Sequence, residues 1–156
     1  MQLLGPTHSA GPQCERILRT LPRWFGIEHA LLEYVDDSER YPTFVVAQDE
    51  PVAFLTVRQH FAVSWEVHCI AVEAGQRGRG VGRLLHQHVE AWLRDQGAQV
   101  LQVKTLAASH PSPEYAQTRS FYLAMGYTEL EVFPTLWSPS LPVLQLVKSL
   151  GNASAA

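Results

Sequence analysis

Cys69-Ile70-Ala71-Val72-Glu-Ala-Gly75-Gln-Arg77-Gly78-Arg79-Gly80-Val81-Gly82-Arg83-Leu-Leu85 passes from an apolar stretch, through glycines spaced two apart, into a segment of helical periodicity. The preceding residues, from Phe61, alternate as a long strand, with Glu66, His68 and Ile70 on one face and Trp65, Val67 and Cys69 on the other. From Val81 to Gln96 the apolar positions Val81, Leu84, Leu85, Val89, Trp92 and Leu93 mark one side of a helix, which Gly97 closes. A strand that feeds a helix through a glycine turn lets several backbone N–H groups converge without Cβ obstruction at the positive end of the helix dipole. Such an end binds a phosphate-like anion. A dinucleotide fingerprint fails because Arg83 stands where its third glycine is needed, and a phosphate loop of the Walker type fails for want of a Lys-Ser/Thr pair.

Working outward, Cys14 to Leu21 and Ile27 to Val35 predict two short helices after an irregular, glycine- and proline-bracketed start. The link between them carries Trp24 and Phe25. Thr43 to Ala47 and Val52 to Gln59 predict a hairpin, rich in β-branched and aromatic residues, around the polar turn Gln48-Asp49-Glu50. After Gly97 the order is a strand at Ala98 to Leu106, a proline-containing loop, a helix at Glu114 to Met125, and strands at Tyr127 to Phe133 and Pro142 to Lys148. A loop holding Trp137 is expected between the last two strands. Alternating strands and helices with a strand-helix-strand crossover predict a mixed α+β fold. A single domain over 1–150 is expected, with 151–156 a small, polar, mobile tail.

The 156 residues suit one domain, and 46% hydrophobic residues are enough for a core without staples. Twelve basic against fifteen acidic side chains leave a net charge of -3, so nucleic acid is not an expected partner. Two distant cysteines, Cys14 and Cys69, write neither a disulfide framework nor a metal ribbon. His86 and His88, two apart on a helix, face different ways, so no metal is expected. No run approaches the ~18 apolar residues of a membrane span, and the start lacks a signal-peptide pattern. A soluble, cytoplasmic protein without membrane association is the expectation.

Arg77-x-x-Gly80-x-Gly82 resembles the R/Q-x-x-G-x-G/A signature of the Gcn5-related N-acetyltransferases (GNAT). Arg119-Ser-Phe-Tyr-Leu-Ala-Met-Gly-Tyr127 is similar to the R-x-F-Y-x-x-x-G-F/Y helix of that family, and it follows the glycine loop at the customary interval. Together the matches span about residues 43 to 148. Many relatives have an Asn six residues before the helix Phe; Tyr115 occupies that place here. The resemblance implies a mixed, mostly antiparallel sheet, splayed between two parallel strands (the one ending at Val72 and the one from Ala98), with helices on both faces. It also implies acetyl-CoA as acyl donor, its pyrophosphate on Arg77, Gly78, Arg79, Gly80, Val81, Gly82 and Arg83, and its pantetheine along Ile70, Ala71 and Val72.

The same resemblance implies transfer to a primary amine of a small molecule by direct attack, without a covalent enzyme intermediate. Tyr122 takes the place of the tyrosine that hydrogen-bonds the CoA sulfur. Full proton transfer from a phenol at ~10 to a thiolate at ~8.5 is uphill by about 2 kcal/mol, which suits Tyr122 as a hydrogen-bond donor. A core aromatic is its other reading. Glu66, eleven residues before Arg77, is one candidate base, and His68 on the same strand face is the rival. A surface glutamate and a structural histidine are their plainer readings. Trp24, Phe25 and Trp137 fall in segments that border the acceptor site in the family. Other readings are a different acyl-CoA donor, a protein N-terminus or lysine as acceptor, or a non-catalytic CoA-binding regulatory module. A homodimer is favoured by analogy alone.

Overall fold

The structure is a computed structural model that describes residues 1–151; residues 152–156, where the mobile tail is expected, lie outside the described residues. It is a mixed α/β fold with four α-helices and seven strands, hydrogen-bonded in the order β1-β2-β3-β4-β5-β7-β6. The elements are β1 (Gln2–Thr7), α1 (Gly11–Arg19), α2 (Glu28–Arg40), β2 (Thr43–Ala47), β3 (Pro51–Phe61), β4 (Ser64–Val72), α3 (Val81–Asp95), β5 (Val100–Leu106), α4 (Pro113–Ala124), β6 (Thr128–Ser138) and β7 (Leu141–Ser149). The chain groups into two compact units, one of Met1–Arg58 with Val67–Gln96, the other of Gln59–Glu66 with the chain from Gly97 onward.

In the first unit, α1 starts with Pro12 in its first turn, where the fixed φ suits a helix and the missing N–H is not needed. Its buried side chains Cys14, Ile17 and Leu18 join Leu21, Leu31 of α2, Val45 of β2, Phe54 of β3, and Cys69 and Ala71 of β4 in one core. β2 and β3 are antiparallel, pairing Phe44 with Leu55 and Val45 with Phe54. Alternation sends Phe44 to the opposite face from Val45, where its ring meets Trp92 of α3 edge-on at 5.2 Å. Thr43 and Thr56, paired across the strands and buried, share a hydroxyl hydrogen bond of 2.9 Å.

The irregular start expected for residues 1–11 is instead largely a strand. β1 pairs antiparallel with β2, with a register shift between Leu4 and Thr7. Glycine and proline are tolerated there because β1 is an edge strand, where a missing N–H breaks no ladder. Gly5, at φ +119°, brings its Cα so close to β2 that a Cβ would lie 2.6 Å from the Thr43 carbonyl oxygen.

In the second unit, β7 runs antiparallel to both β5 and β6. Leu101, Val103, Val143 and Leu146 are buried there. Ser112 caps α4 by accepting a hydrogen bond from the Tyr115 N–H, and Pro113 occupies the first turn. The Trp137 loop is absent as such: β6 continues to Ser138, so Trp137 is a strand residue, 43% exposed. β6 has only β7 beside it, and its register shifts between Phe133 and Ser138, so Pro134 removes no ladder bond.

Candidate active site

The glycine loop leaves β4 at Val72, anchored by Glu73. The Glu73 N–H donates to the Val52 carbonyl at 2.8 Å, and its carboxylate accepts from Arg16 at 2.7 Å. A short 3-10 turn (Ala74–Gln76) follows, and then Gly78 and Gly80 take φ values of +76° and +79°. A Cβ at either position would meet nothing within 4 Å, so both glycines serve the left-handed conformation rather than interior packing. Gly80 is the N-cap of α3 and no side chain caps that end; the first turn holds no acidic residue. The N–H groups of Val81, Gly82 and Arg83 therefore lie in the donor-rich first turn, ahead of the first helical bond from the Leu84 N–H to the Gly80 carbonyl at 3.0 Å.

Cations border this helix end. Arg79 and Arg83 are exposed, and the Arg77 guanidinium carbon sits 4.3 Å from the centre of the Trp24 ring. Partial burial there lowers the Arg77 pKa from its ordinary value. The Gln76 side-chain oxygen is buried and has no hydrogen-bond partner among the described residues. An uncapped helix start, two left-handed glycines and flanking arginines fit a pyrophosphate.

Trp24 and Phe25 are half-buried and pack against the core of the first unit. Phe25 meets Tyr34 of α2 edge-on at 5.7 Å. Tyr34 and Tyr41 in turn meet the His68 imidazole at 5.5 and 5.8 Å, and the Arg58 guanidinium lies 5.2 Å from the Tyr41 ring centre. His68 Nε2 lies 2.7 Å from Asp37 Oδ2. This corrects the strict alternation expected for β4. His68 points to Tyr34 and Asp37 of α2, while its neighbour Cys69 is buried with Cys14 of α1 and Leu31 of α2. Both successive side chains thus have a neighbour on α2. Ala71 is 3% exposed, whereas Ile70 and Val72 are half-buried, so any contact of a ligand with Ala71 falls to its backbone.

Glu66 belongs to the second unit and is buried. Its Oε1 is 2.7 Å from His60 Nε2 and its Oε2 accepts from Lys104 at 3.0 Å. Tyr122, 4% exposed, has its ring between Phe121 and Tyr127, with centroids at 5.5 and 5.4 Å. Arg119, three positions before it, donates to the Leu106 carbonyl at 2.7 Å and so ties α4 to the end of β5. Trp137 belongs to this second unit, whereas Trp24 and Phe25 belong to the first. Sequence reasoning missed Asp37, Tyr34, Tyr41, His60 and Lys104. The first three adjoin an amphipathic helix next to an aromatic-rich link, a faint signal; the last two carry none.

The sequence profile of the acetyltransferase (GNAT) family matches residues 12–127. The chain belongs to the GNAT acetyltransferase family. Solved GNAT-fold structures cover almost all of it. A GNAT-family protein from Desulfovibrio desulfuricans is 16% identical, with 96% of this chain and 99% of that one covered and a TM-score of 0.81. The ribosomal-protein-S18-alanine N-acetyltransferase of Escherichia coli is 18% identical over 97% and 95%, with a TM-score of 0.78. An aminoglycoside 6'-N-acetyltransferase, solved in complex with coenzyme A, is 20% identical over 97% and 98%, with a TM-score of 0.73. At these identities the likeness is one of fold. No curated protein matches the sequence. Among the described residues of this GNAT protein, no three His, Cys, Asp or Glu side chains gather to hold a metal ion, and no helix is long and apolar enough to cross a membrane.

The two cysteines, Cys14 and Cys69, are poorly suited to react. Burial pushes the Cys14 thiol up to about 11, and burial pushes Cys69 well above its ordinary value, with Cys14 and Asp37 adding to the rise. Because the thiolate is the nucleophile, a raised pKa removes the reactive form throughout the neutral range. Iodoacetamide at about pH 8 is expected to alkylate both thiols roughly 10²-fold more slowly in the native protein than in denaturant, as read by intact mass. Stoichiometric labelling of the native protein within minutes contradicts this.

Proposed function

We propose that the protein is an acetyl-CoA-dependent N-acetyltransferase that moves the acetyl group onto a primary amine of a small molecule by direct attack. The observation that carries this reading is the uncapped N-terminus of α3 behind Gly78 and Gly80, with Arg77, Arg79 and Arg83 around it. The loop N–H groups hold the pyrophosphate, and backbone groups of Ile70 to Val72 orient the acyl arm. Tyr122 donates a hydrogen bond to the departing sulfur, and Glu66 or His68 takes the amine proton. These roles come by resemblance. The N-acetylation of aminoglycosides and of a ribosomal protein by enzymes of similar fold supports an amine acceptor. Two unbridged cysteines support a reducing compartment such as the cytoplasm.

Thiol release from acetyl-CoA, measured against a panel of small amines, polyamines, aminoglycosides and N-terminal peptides, tests the reading. Tyr122→Phe keeps the buried ring and removes only the hydroxyl. It is expected to lower kcat by about 10²-fold with little change in the KM for acetyl-CoA. Release with none of the amines, or an acetyl-CoA that fails to raise Tm, overturns the reading.

A further inference from the structure

We infer that His68 and Asp37 form the proton-accepting pair for the acceptor amine, His68 as a catalytic residue and Asp37 as a positioning residue that acts through it. The inference rests on the transferase reading above and chooses between the two bases that reading leaves open. Asp37 is assigned no role by the sequence motifs.

Glu66 is already engaged with two other side chains. Each of its oxygens already has a partner, His60 at 2.7 Å and the Lys104 ammonium at 3.0 Å, and the residue is 7% exposed. An incoming amine would share these oxygens with two existing partners, within a desolvated site. His68 is arranged the opposite way. One ring nitrogen, Nε2, meets the Asp37 carboxylate at 2.7 Å, and the ring makes no other hydrogen bond among the described residues. Its side chain remains 20% exposed. A carboxylate accepts, so Nε2 carries the proton and the neutral imidazole keeps its lone pair on Nδ1. Tyr34 and Tyr41 fix the ring plane from two further directions. A solvated surface histidine needs no such fixing.

The pair is also continuous with the donor loop within one unit. Arg77 of the glycine loop stacks on Trp24, the next residue Phe25 meets Tyr34, and Tyr34 meets His68. The titratable and charged groups around the imidazole are Asp37 and Tyr34 of α2, Tyr41 with Arg58 of β3 beside its ring, and the neighbouring residue Cys69.

The step balances as follows. The amine nitrogen bonds to the acetyl carbonyl carbon, and the nitrogen's proton goes to His68 Nδ1, directly or through one water. The C–S bond breaks with its electron pair on sulfur, and the thiolate takes up a proton from solvent. His68 then returns its proton to solvent, which leaves amide and thiol as the only products. Asp37 stabilises the imidazolium formed in between.

The test is the pH dependence of kcat/KM for the best amine of the panel in the wild type, His68→Gln, Asp37→Asn and Glu66→Gln, together with long-range 15N–1H spectra of the His68 ring. The wild type is expected to show an acid limb from one ionisation and an Nε2–H tautomer. His68→Gln should lose the limb and about 10²-fold of plateau activity. Asp37→Asn should raise the share of the Nδ1–H tautomer and lower kcat by roughly 10-fold with the KM for acetyl-CoA unchanged. An Nδ1–H tautomer in the wild type overturns the pairing whatever the activity. So does an acid limb that survives in His68→Gln and disappears in Glu66→Gln. Wild-type protein that releases thiol while His68→Gln keeps its full profile overturns this inference alone; wild-type protein that releases none with any amine overturns the transferase reading and the inference with it.

Discussion

Gly80→Asp is expected to weaken acetyl-CoA binding by at least about 10²-fold while leaving most of the fold's stability in place, because two effects act on the bound state and only one on the free protein. The Gly80 backbone sits at φ +79°, so any side chain there costs roughly 1–2 kcal/mol in the free protein or pulls the loop out of the left-handed region. The added Cβ itself meets nothing within 4 Å, so no core group is displaced. On the proposed function, the new carboxylate stands at the helix end proposed for the pyrophosphate. It accepts from the Gly82 or Arg83 N–H, as a side chain at the N-cap does, and repels the phosphates. Calorimetric titration with coenzyme A, paired with thermal melts, separates the two effects. Full affinity in Gly80→Asp means the loop is not the donor site. Gly80→Ala, which carries strain without charge, should fall between variant and wild type.

Phe44→Ala is expected to cost about 3–5 kcal/mol, the usual range for deleting a buried aromatic ring, and to lower Tm by roughly 10 °C. Phe44 is fully buried and its edge-on contact with Trp92 joins β2 to α3. That loss is a large share of the ~5–15 kcal/mol that holds an ordinary domain together. Urea melts measure it. A loss below about 1 kcal/mol would mean that the space refills by local collapse and that α3 is held elsewhere. Because α3 carries the end proposed to bind the pyrophosphate, the variant should also bind coenzyme A less tightly, and saturating ligand should recover part of the lost Tm.

Residues that act through backbone conformation were the legible ones. Gly78 and Gly80 announce a left-handed turn because almost nothing else adopts it cheaply, and the helix after them announces itself by its apolar spacing. Proline and glycine misled wherever the strand lay at an edge. Gly5-Pro6 and Pro134 read as breaks, yet β1 and β6 each have a single neighbour and lose no ladder bond to them. Alternation on β4 failed at His68 and Cys69, since the periodicity of side chains is a property of a regular strand and this one leaves both residues beside α2.

Pairings between distant side chains were not legible at all. Asp37 and His68 are 31 positions apart, and Glu66 and Lys104 are 38 apart. A carboxylate near a strand looks like a base from its neighbours in sequence, whereas whether its lone pairs are already taken depends on groups brought in by the fold. Glu66 was therefore a sound candidate by position and a weak one by environment. Arg119 was visible as part of a motif, but its bond to the Leu106 carbonyl, which ties α4 to the end of β5, was not.

The stacking of Arg77 on Trp24 bears on how binding proceeds over time. A long arginine on open surface samples many rotamers, and freezing it on a phosphate costs roughly 0.5–1.5 kcal/mol of conformational entropy. A guanidinium already resting on an indole face has given up much of that freedom while folding. On the proposed function, the loop meets its anion with one cation set in advance, and Trp24 helps determine how long a bound one stays.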